Sequence, residues 1–378
     1  MTPIRTEPAV AEEAAPRLTD ARRGAVAVLA VIFLPLLVMV AAFAIDIANL
    51  MLVKSELQNA ADSAAQAGAQ CLYPRAECFN TTTPAPDWAT AHTRAAAAIQ
   101  NNTTQSKALV TGVVASGYWN VTGTPHILQL LPMTATAHDA PAIQVTIARK
   151  AGENSGSVVL YFSSLLGLHT ADMSATAVSV VTSPGAEGPG SLFPFAMAQC
   201  MYDAFWDTTT SLPKNASTTG PDTYGVPQVS GKPWVFRFGF STPAYGACEG
   251  GQYTSFALDE NSTTAVHGLI QNGNPTALAM GDPIWIEPGA KADLYKIVND
   301  CSARGDKKCE YVTIPVAANA SSTLKGEQPI VGFACMHILL AEQGPKYVQV
   351  EMSTQCPPTG GSGTGPNYGV HNSPRLAM

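Results

Sequence analysis

Between Ala25 and Ile45 the chain runs for roughly 21 residues without a charge and almost without a polar atom. A helix rises about 1.5 Å per residue, so this stretch matches the roughly 30 Å hydrocarbon layer of a bilayer. It reads as a membrane anchor, and the rest of the sequence is arranged around it. Pro35 lies mid-span and removes one backbone donor, which a bilayer helix tolerates with a bend rather than a break. Arg5, Arg17, Arg22 and Arg23 precede the run, whereas Lys54 is the single basic residue in roughly the first twenty positions after it. Basic residues resist translocation, so the N-terminus is expected in the cytoplasm and everything after Asp46 outside it. Arg22 and Arg23 then mark one membrane edge and Asp46 the other.

Two processing sites compete with an intact anchor. Ala42-Phe43-Ala44 has the small-x-small form of a signal-peptidase site, but the apolar stretch before it exceeds the usual length of about 7 to 15 residues. Gly24, preceded by arginines and followed by an apolar helix, has the form of a prepilin cut, yet Leu29 stands where prepilins carry Glu. The reading adopted is an uncleaved anchor.

The helical pattern continues past the membrane. Leu50, Val53, Leu57, Ala60, Ala61, Ala64 and Gly68 recur at three- and four-residue steps and fall on one face, with Lys54, Glu56, Asn59 and Asp62 elsewhere around the helix. Leu57, Ala60, Ala61, Ala64 and Gly68 make a face of small side chains that lets another backbone come close. A partner helix and the chain's own globular part both suit such a face, and spacing does not choose between them.

At this point a resemblance becomes specific. The block from Arg22 to Ala69, with Gly24 before the span, Asp46 after it and LQNAADSAAQAGA at 57–69, resembles the N-terminal region of TadG-like proteins of Tad (tight adherence, Flp pilus) assembly systems. Residues 141–181, PAIQVTIARKAGENSGSVVLYFSSLLGLHTADMSATAVSVV, are similar to the strand, helix ending in Leu-Gly, and Ala-rich strand that follow in this family. Residues 250–289 also look like the downstream region of some longer relatives.

The resemblance implies a non-enzymatic component of pilus assembly in a bacterial inner membrane, single-pass, with its bulk in the periplasm. The implied partners are the lipid bilayer and other Tad assembly proteins or pilin subunits; homo-oligomer formation stays open. Some relatives carry a von Willebrand type A domain with a D-x-S-x-S metal site. That pattern is absent here, so adhesion through such a site is not carried over.

Charge and cysteine usage agree with export. Charged residues make up 13% of the 378, about half the usual share. A net charge of -7, with no basic cluster beyond the arginines flanking the span, excludes the phosphate-neutralising footprint of a nucleic-acid binder. Eight cysteines, Cys71, Cys78, Cys200, Cys248, Cys301, Cys309, Cys335 and Cys356, all follow the span and form an even set on the oxidising side, which reads as disulfides. Many connectivities are open. Cys71 with Cys78 and Cys301 with Cys309 are near enough to close short loops, leaving Cys200 with Cys248 and Cys335 with Cys356 as the simplest remainder.

The expected fold class is α+β: a transmembrane helix continuing into a long helix packed on a small pilin-like α/β unit, followed by a β-rich domain. Residues 1–21 read as a disordered cytoplasmic tail and 22–70 as the anchor with its extension. Residues 71–182 read as an α+β domain, with Asp87 capping the helix DWATAHTRAAAAIQNN, strands in LVTGVVASGYWNVTG, AIQVTIARK and ADMSATAVSVV, and a short helix in SVVLYFSSLLGL. SPGAEGPGS at 183–191 reads as a linker. Residues 192–356 read as β-rich, with strands in KPWVFRFGF, DPIWIEPG, EYVTIPVAA, PIVGFACMHILLAE and KYVQVEMS, separated by turns such as Asn272-Gly273 and at Gly289. Residues 357–378, rich in Gly, Ser and Pro, read as a disordered tail.

Catalytic signatures are scarce. H-E-x-x-H, G-x-S-x-G and dinucleotide fingerprints are absent, and the Gly225 to Lys232 stretch fails as a phosphate loop because Pro233 stands where a hydroxyl is needed. Cys335 and His337 share a strand face and invite a thiol-base reading, against which stands a disulfide half beside a packed histidine. Asp259, Glu260, Asn261, Asp282 and Glu287 are the candidate calcium oxygens, without the spacing of a calcium loop. No cofactor and no resident metal is expected. The competing function is an exported, membrane-anchored binding or adhesion module for glycan or calcium, outside a pilus system; an exported hydrolase is a weaker third.

Overall fold

The computed structural model describes residues 19–79, 85–136, 138–239, 248, 251–260, 262–287, 292–320 and 325–377. Most of the expected cytoplasmic tail, and Asn261 and Gly289, lie outside the described residues. Helix α1 runs unbroken over Thr19–Ala69 and keeps Pro35 inside it. Its side chains from Val28 to Val40 are exposed, whereas Val53, Leu57, Ala60, Ala61, Ala64, Ala65 and Ala69 are fully or almost fully buried. One helix thus changes solvent along its length, and its apolar half is long enough to cross a membrane.

Helix α2 (Trp88–Ile99) lies against the lower half of α1, its first turn capped by Asp87, which accepts from the Thr90 N–H at 3.1 Å. Behind them stands an antiparallel sheet of β1 (Val113–Asn120), β2 (Gln129–Leu130), β3 (Asp139–Arg149) and β6 (Met173–Val180). Ile143, Val145 and Ile147 of β3 and Ala175 and Ala177 of β6 point at the helices and complete the first core. Between β3 and β6 the chain makes a hairpin of two short strands, β4 (Val158–Val159) and β5 (Thr170–Ala171). Its tip is a 3-10 turn, Ser163–Leu166, ended by Gly167 in the left-handed conformation. The short helix expected in SVVLYFSSLLGL is therefore a strand followed by this single turn. Its apolar residues lack a helical burial face, which leaves the segment free to pair with itself.

The second lobe is built on β7 (Phe195–Ala198), β8 (Val235–Gly239), β9 (Gly251–Phe256), β10 (Pro283–Glu287), β11 (Tyr311–Ala317), β12 (Gly326–Glu342) and β13 (Tyr347–Met352). Strand order is β8-β13-β12-β10-β9-β7-β11, and β11 pairs again with β12, so five strands close into a ring. Closure leaves these five strands without a free edge, while β8, among the described residues, stays an edge strand paired to β13 alone. The one parallel pair in the ring joins β7 to β11. Phe195, Tyr253, Phe256 and Phe333 fill its core. Helices α3 (Gln199–Phe205), α4 (Thr263–Asn272) and α5 (Ala292–Cys301) interrupt the strands. Asn272-Gly273, expected as a turn between strands, ends α4 instead, with Gly273 as its C-cap.

The tail expected to be disordered is ordered and packed. After Cys356 it runs along the linker, where Ser362 exchanges backbone hydrogen bonds with Ala186. It then passes β12, bridging Ala334 at Gly369, and finally adds β14 (Arg375–Leu376) to the edge of β6. Its glycines serve close approach: a Cβ on Gly365 would meet the Pro184 carbonyl oxygen at 2.2 Å, and one on Gly185 the Thr364 oxygen at 2.9 Å. Backbone packed on backbone requires Gly, and composition alone does not distinguish that from disorder.

Candidate functional site

Of the sequence-predicted residues, Asp46 stands where α1 leaves its apolar run. Asp46 is 2% exposed although it follows directly on the span. Its carboxylate accepts the backbone N–H of Tyr161 at 2.8 Å, of Phe162 at 3.0 Å and of Ser163 at 2.6 Å, and the Ser163 hydroxyl at 2.7 Å. A single charged side chain thus ties the tip of the β4-β5 hairpin to the helix, through charge-assisted bonds stronger than neutral ones. One turn further, the Asn49 amide donates to the Val159 carbonyl at 3.4 Å, and Gln105 donates to Asn49 at 2.7 Å. Beyond that, Glu56 accepts from the Thr104 hydroxyl and the Gln105 N–H, and Lys54 donates to the Ser174 carbonyl. What this geometry provides for Asp46 is positioning within the chain. Arg22 and Arg23 lie on the same helix, at the opposite end of the apolar run.

The small-residue face is filled from within. Leu57, Ala60, Ala61 and Ala64 have at most 1% of their surface exposed, packed on α2 and the first sheet. A Cβ on Gly68 would lie 2.8 Å from the Ala95 Cβ and 2.9 Å from the Ala91 oxygen. Of the two readings left open for Leu57, Ala60, Ala61, Ala64 and Gly68, a partner helix and the chain's own globular part, the packing seen is with the chain's own globular part. Ala91 and Ala95 of α2 offer a matching small surface, and Ile143 of β3 closes on the same face.

All eight cysteines are paired: Cys71 with Cys78, Cys200 with Cys248, Cys301 with Cys309 and Cys335 with Cys356. Their Cα separations lie between 5.1 and 5.9 Å, within the range a bridge needs. Cys335 therefore has no thiol to offer His337, whose Nδ1 lies 2.7 Å from Glu351 and whose ring stacks on Tyr311. Among the described residues, no three His, Cys, Asp or Glu side chains form a group that could hold a metal ion. Glu260 caps Ser262, Asp282 accepts from the Ala279 N–H and Glu287 meets the Ser255 hydroxyl, each engaged locally.

Sequence reasoning missed the tail. Tyr368 lies 3.7 Å from Tyr202 and His371 stacks on Tyr73 at 3.6 Å, ring centre to ring centre. Asn372 donates to the Thr182 carbonyl and hydroxyl, both at 2.9 Å. Burial, reinforced by the nearby Arg75 charge, holds the His371 imidazole down to about 3, so it stays neutral; burial also raises the Tyr73 phenol above its usual value. Beside this strap an open cleft of about 810 Å³ separates the lobes, walled by Tyr73, Tyr118, Asp139, Gln199 and Tyr368. The Asp139 oxygens are taken by Thr136 and Gln129 at 2.7 to 2.9 Å. Burial opposes ionisation of that carboxyl, but these bonds outweigh it and hold it below its ordinary range. The signal for the strap was the unusual density of Tyr, Val, His and Asn at 367–372 within a Gly-rich stretch.

Among the described residues, one helix is long and apolar enough to fit a membrane anchor, and it continues without a break into the core of a disulfide-bonded body. Residues 24–70 match the Flp pilus-assembly TadE/G-like family, and residues 56–179 match the Tad-like Flp pilus-assembly family. The N-terminal region and first lobe are therefore similar to TadE/G-like and Tad-like Flp pilus-assembly proteins. Neither match extends into the ring lobe. No curated protein and no solved structure matches the chain.

Proposed function

We propose that this chain is a non-enzymatic, single-pass component of Tad/Flp pilus assembly, with its N-terminus in the cytoplasm and both lobes in the periplasm. The observation that carries the reading is the continuity of α1. The helix that fits the anchor becomes, without a joint, the central element of the first core, and the family matches cover that same stretch. Force or position in the membrane would pass directly to the lobes, as an assembly scaffold requires. With the small-residue face occupied, contact with pilins or other assembly proteins falls to the span and to the outer surfaces of the lobes.

Crosslinking in intact membranes followed by purification of this chain tests the role. Pilus-assembly proteins or pilins are expected among the crosslinked species, and their absence while the membrane fraction is retained would reject it. Thiol labelling of intact spheroplasts tests the orientation: eight oxidised cysteines are expected, whereas free thiols on a cytoplasmic face would overturn it.

A further inference from the structure

The β4-β5 hairpin presents an apolar tip that the protein itself leaves uncovered. Leu165 is 85% exposed, Leu166 61% and Leu168 60%, with Tyr161 and Phe162 also partly open. From Asn154 to Ala171 the chain has no Asp, Glu, Lys or Arg. Exposed apolar clusters of this kind mark surfaces that meet something other than water.

The hydrogen bonds to α1 give the hairpin a direction. Val159 is held at the level of Asn49, and Tyr161 to Ser163 at the level of Asp46, three residues or about 4.5 Å nearer the apolar run. The chain therefore descends along α1 toward the span, turns at 163–167 and returns through Thr170, which pairs with Val159. At the same levels of α1, on its faces turned away from Asp46, Ile45, Ile47, Met51 and Leu52 are exposed as well, so apolar surface continues past the span to the height of the hairpin.

We propose that residues 161–168 are an interfacial foot that dips into the lobe-side leaflet of the bilayer crossed by α1, giving the molecule a second lipid contact. The proposal rests on the reading of α1 as an anchor. The foot's composition suits the interface: Leu and Phe for the acyl boundary, Tyr161 for the headgroup level. Its backbone is largely satisfied internally, as Leu165 donates to Phe162, Gly167 to Ser164 and Leu168 to Ser163, while Asp46 takes the three amides before them. A non-helical segment with its polar groups so paired can enter the interface at small cost. Two attachments, one spanning and one lying on the surface, fix the rotation of the helix about its own axis, which a lone span leaves free.

The test uses the full-length, disulfide-intact protein in phosphatidylethanolamine/phosphatidylglycerol nanodiscs, with a nitroxide placed on Leu165→Cys, and separately on Leu168→Cys, Val38→Cys in the span and Val229→Cys on the second lobe. Leu165, Leu168 and Val229 are exposed, so the labels leave the cores intact. Oxygen and a water-soluble nickel chelate report lipid and water contact. The expected result is that the hairpin labels behave like Val38→Cys, with nickel collisions several-fold below those at Val229→Cys. Hairpin labels as wet as Val229→Cys, with a lipid-embedded Val38→Cys, would overturn the foot and leave the anchor standing. Hairpin labels shielded from both reagents would overturn it in favour of a protein partner. A wet Val38→Cys would overturn anchor and foot together.

Discussion

Asp46 and Ser163 are 117 residues apart in sequence, and the carboxylate of the first accepts both the N–H and the hydroxyl of the second, at 2.6 and 2.7 Å. An acidic side chain at the edge of an apolar helix is thereby spent on the chain itself. The bond fixes the hairpin to the helix that fits a membrane anchor, so the hairpin's level along α1 is set by a side chain and not by a loop.

Replacing that carboxylate tests the latch. Asp46→Ala leaves three amides and a hydroxyl without their acceptor, at about 1–3 kcal/mol for each group that water does not reach. Faster proteolysis within 158–171 and a lower unfolding midpoint of the purified protein are expected. Asp46→Asn, which keeps one acceptor oxygen, should fall between wild type and Asp46→Ala.

Close packing at Gly68 predicts intolerance of a single methyl. Gly68→Ala should destabilise the first lobe by about 1–3 kcal/mol, because the new carbon would meet Ala95 and the Ala91 carbonyl well inside contact distance. Denaturant titration followed by a first-lobe probe checks it. Gly188, where a Cβ meets nothing within 4 Å, is the control position.

The strap should loosen in acid. His371 is neutral when folded, with its value lowered to about 3 from the ordinary 6.5, so between those values the unfolded chain binds a proton that the folded one does not. Stability then rises with pH through this window, and is progressively lost as pH falls from about 6.5 toward 3. His371→Phe keeps the stack on Tyr73 and removes the proton. Melting temperatures of the two proteins compared from pH 7 to pH 4 should show a shallower acid decline for the variant.

Removing the strap should free the lobes from one another. A chain ending at Cys356 loses β14, the His371 stack and the Asn372 bonds to Thr182, while the ring lobe keeps its Cys335–Cys356 bridge. Cleavage at 183–191 under limited proteolysis should become fast, and inter-lobe distances measured between spin labels should broaden.

The bridge itself can be tested separately. Cys335 and Cys356 are 21 residues apart, so in the chain-entropy account the double Cys→Ser variant loses about 3 kcal/mol, read as a lower denaturation midpoint of the ring lobe.

Particular residues show how far the sequence could be read. Strands such as Tyr347–Met352 were legible because Val348, Val350 and Met352 alternate with polar neighbours, and the structure buries these three. Asp87 was legible as a cap because capping is local. Helices α4 and α5 were passed over in a segment read as β-rich, although Leu294, Tyr295 and Val298 repeat at helical spacing and are all buried. The cysteine pairs were the simplest arrangement on spacing, and the structure forms all four.

By itself the sequence determined what depends on neighbours along the chain: an apolar run long enough for a bilayer, a helix continuing beyond it with one small-residue face, and an even cysteine set. What that face touches, what Asp46 binds and where the Gly-rich tail goes were decided only in three dimensions. Each depends on a partner more than twenty residues away, Ala95 for Gly68, Ser163 for Asp46 and Tyr73 for His371, and composition carries no record of which distant surface will match. The tail is the sharpest case, because the glycines that deny it local structure are the residues that let its backbone lie against another.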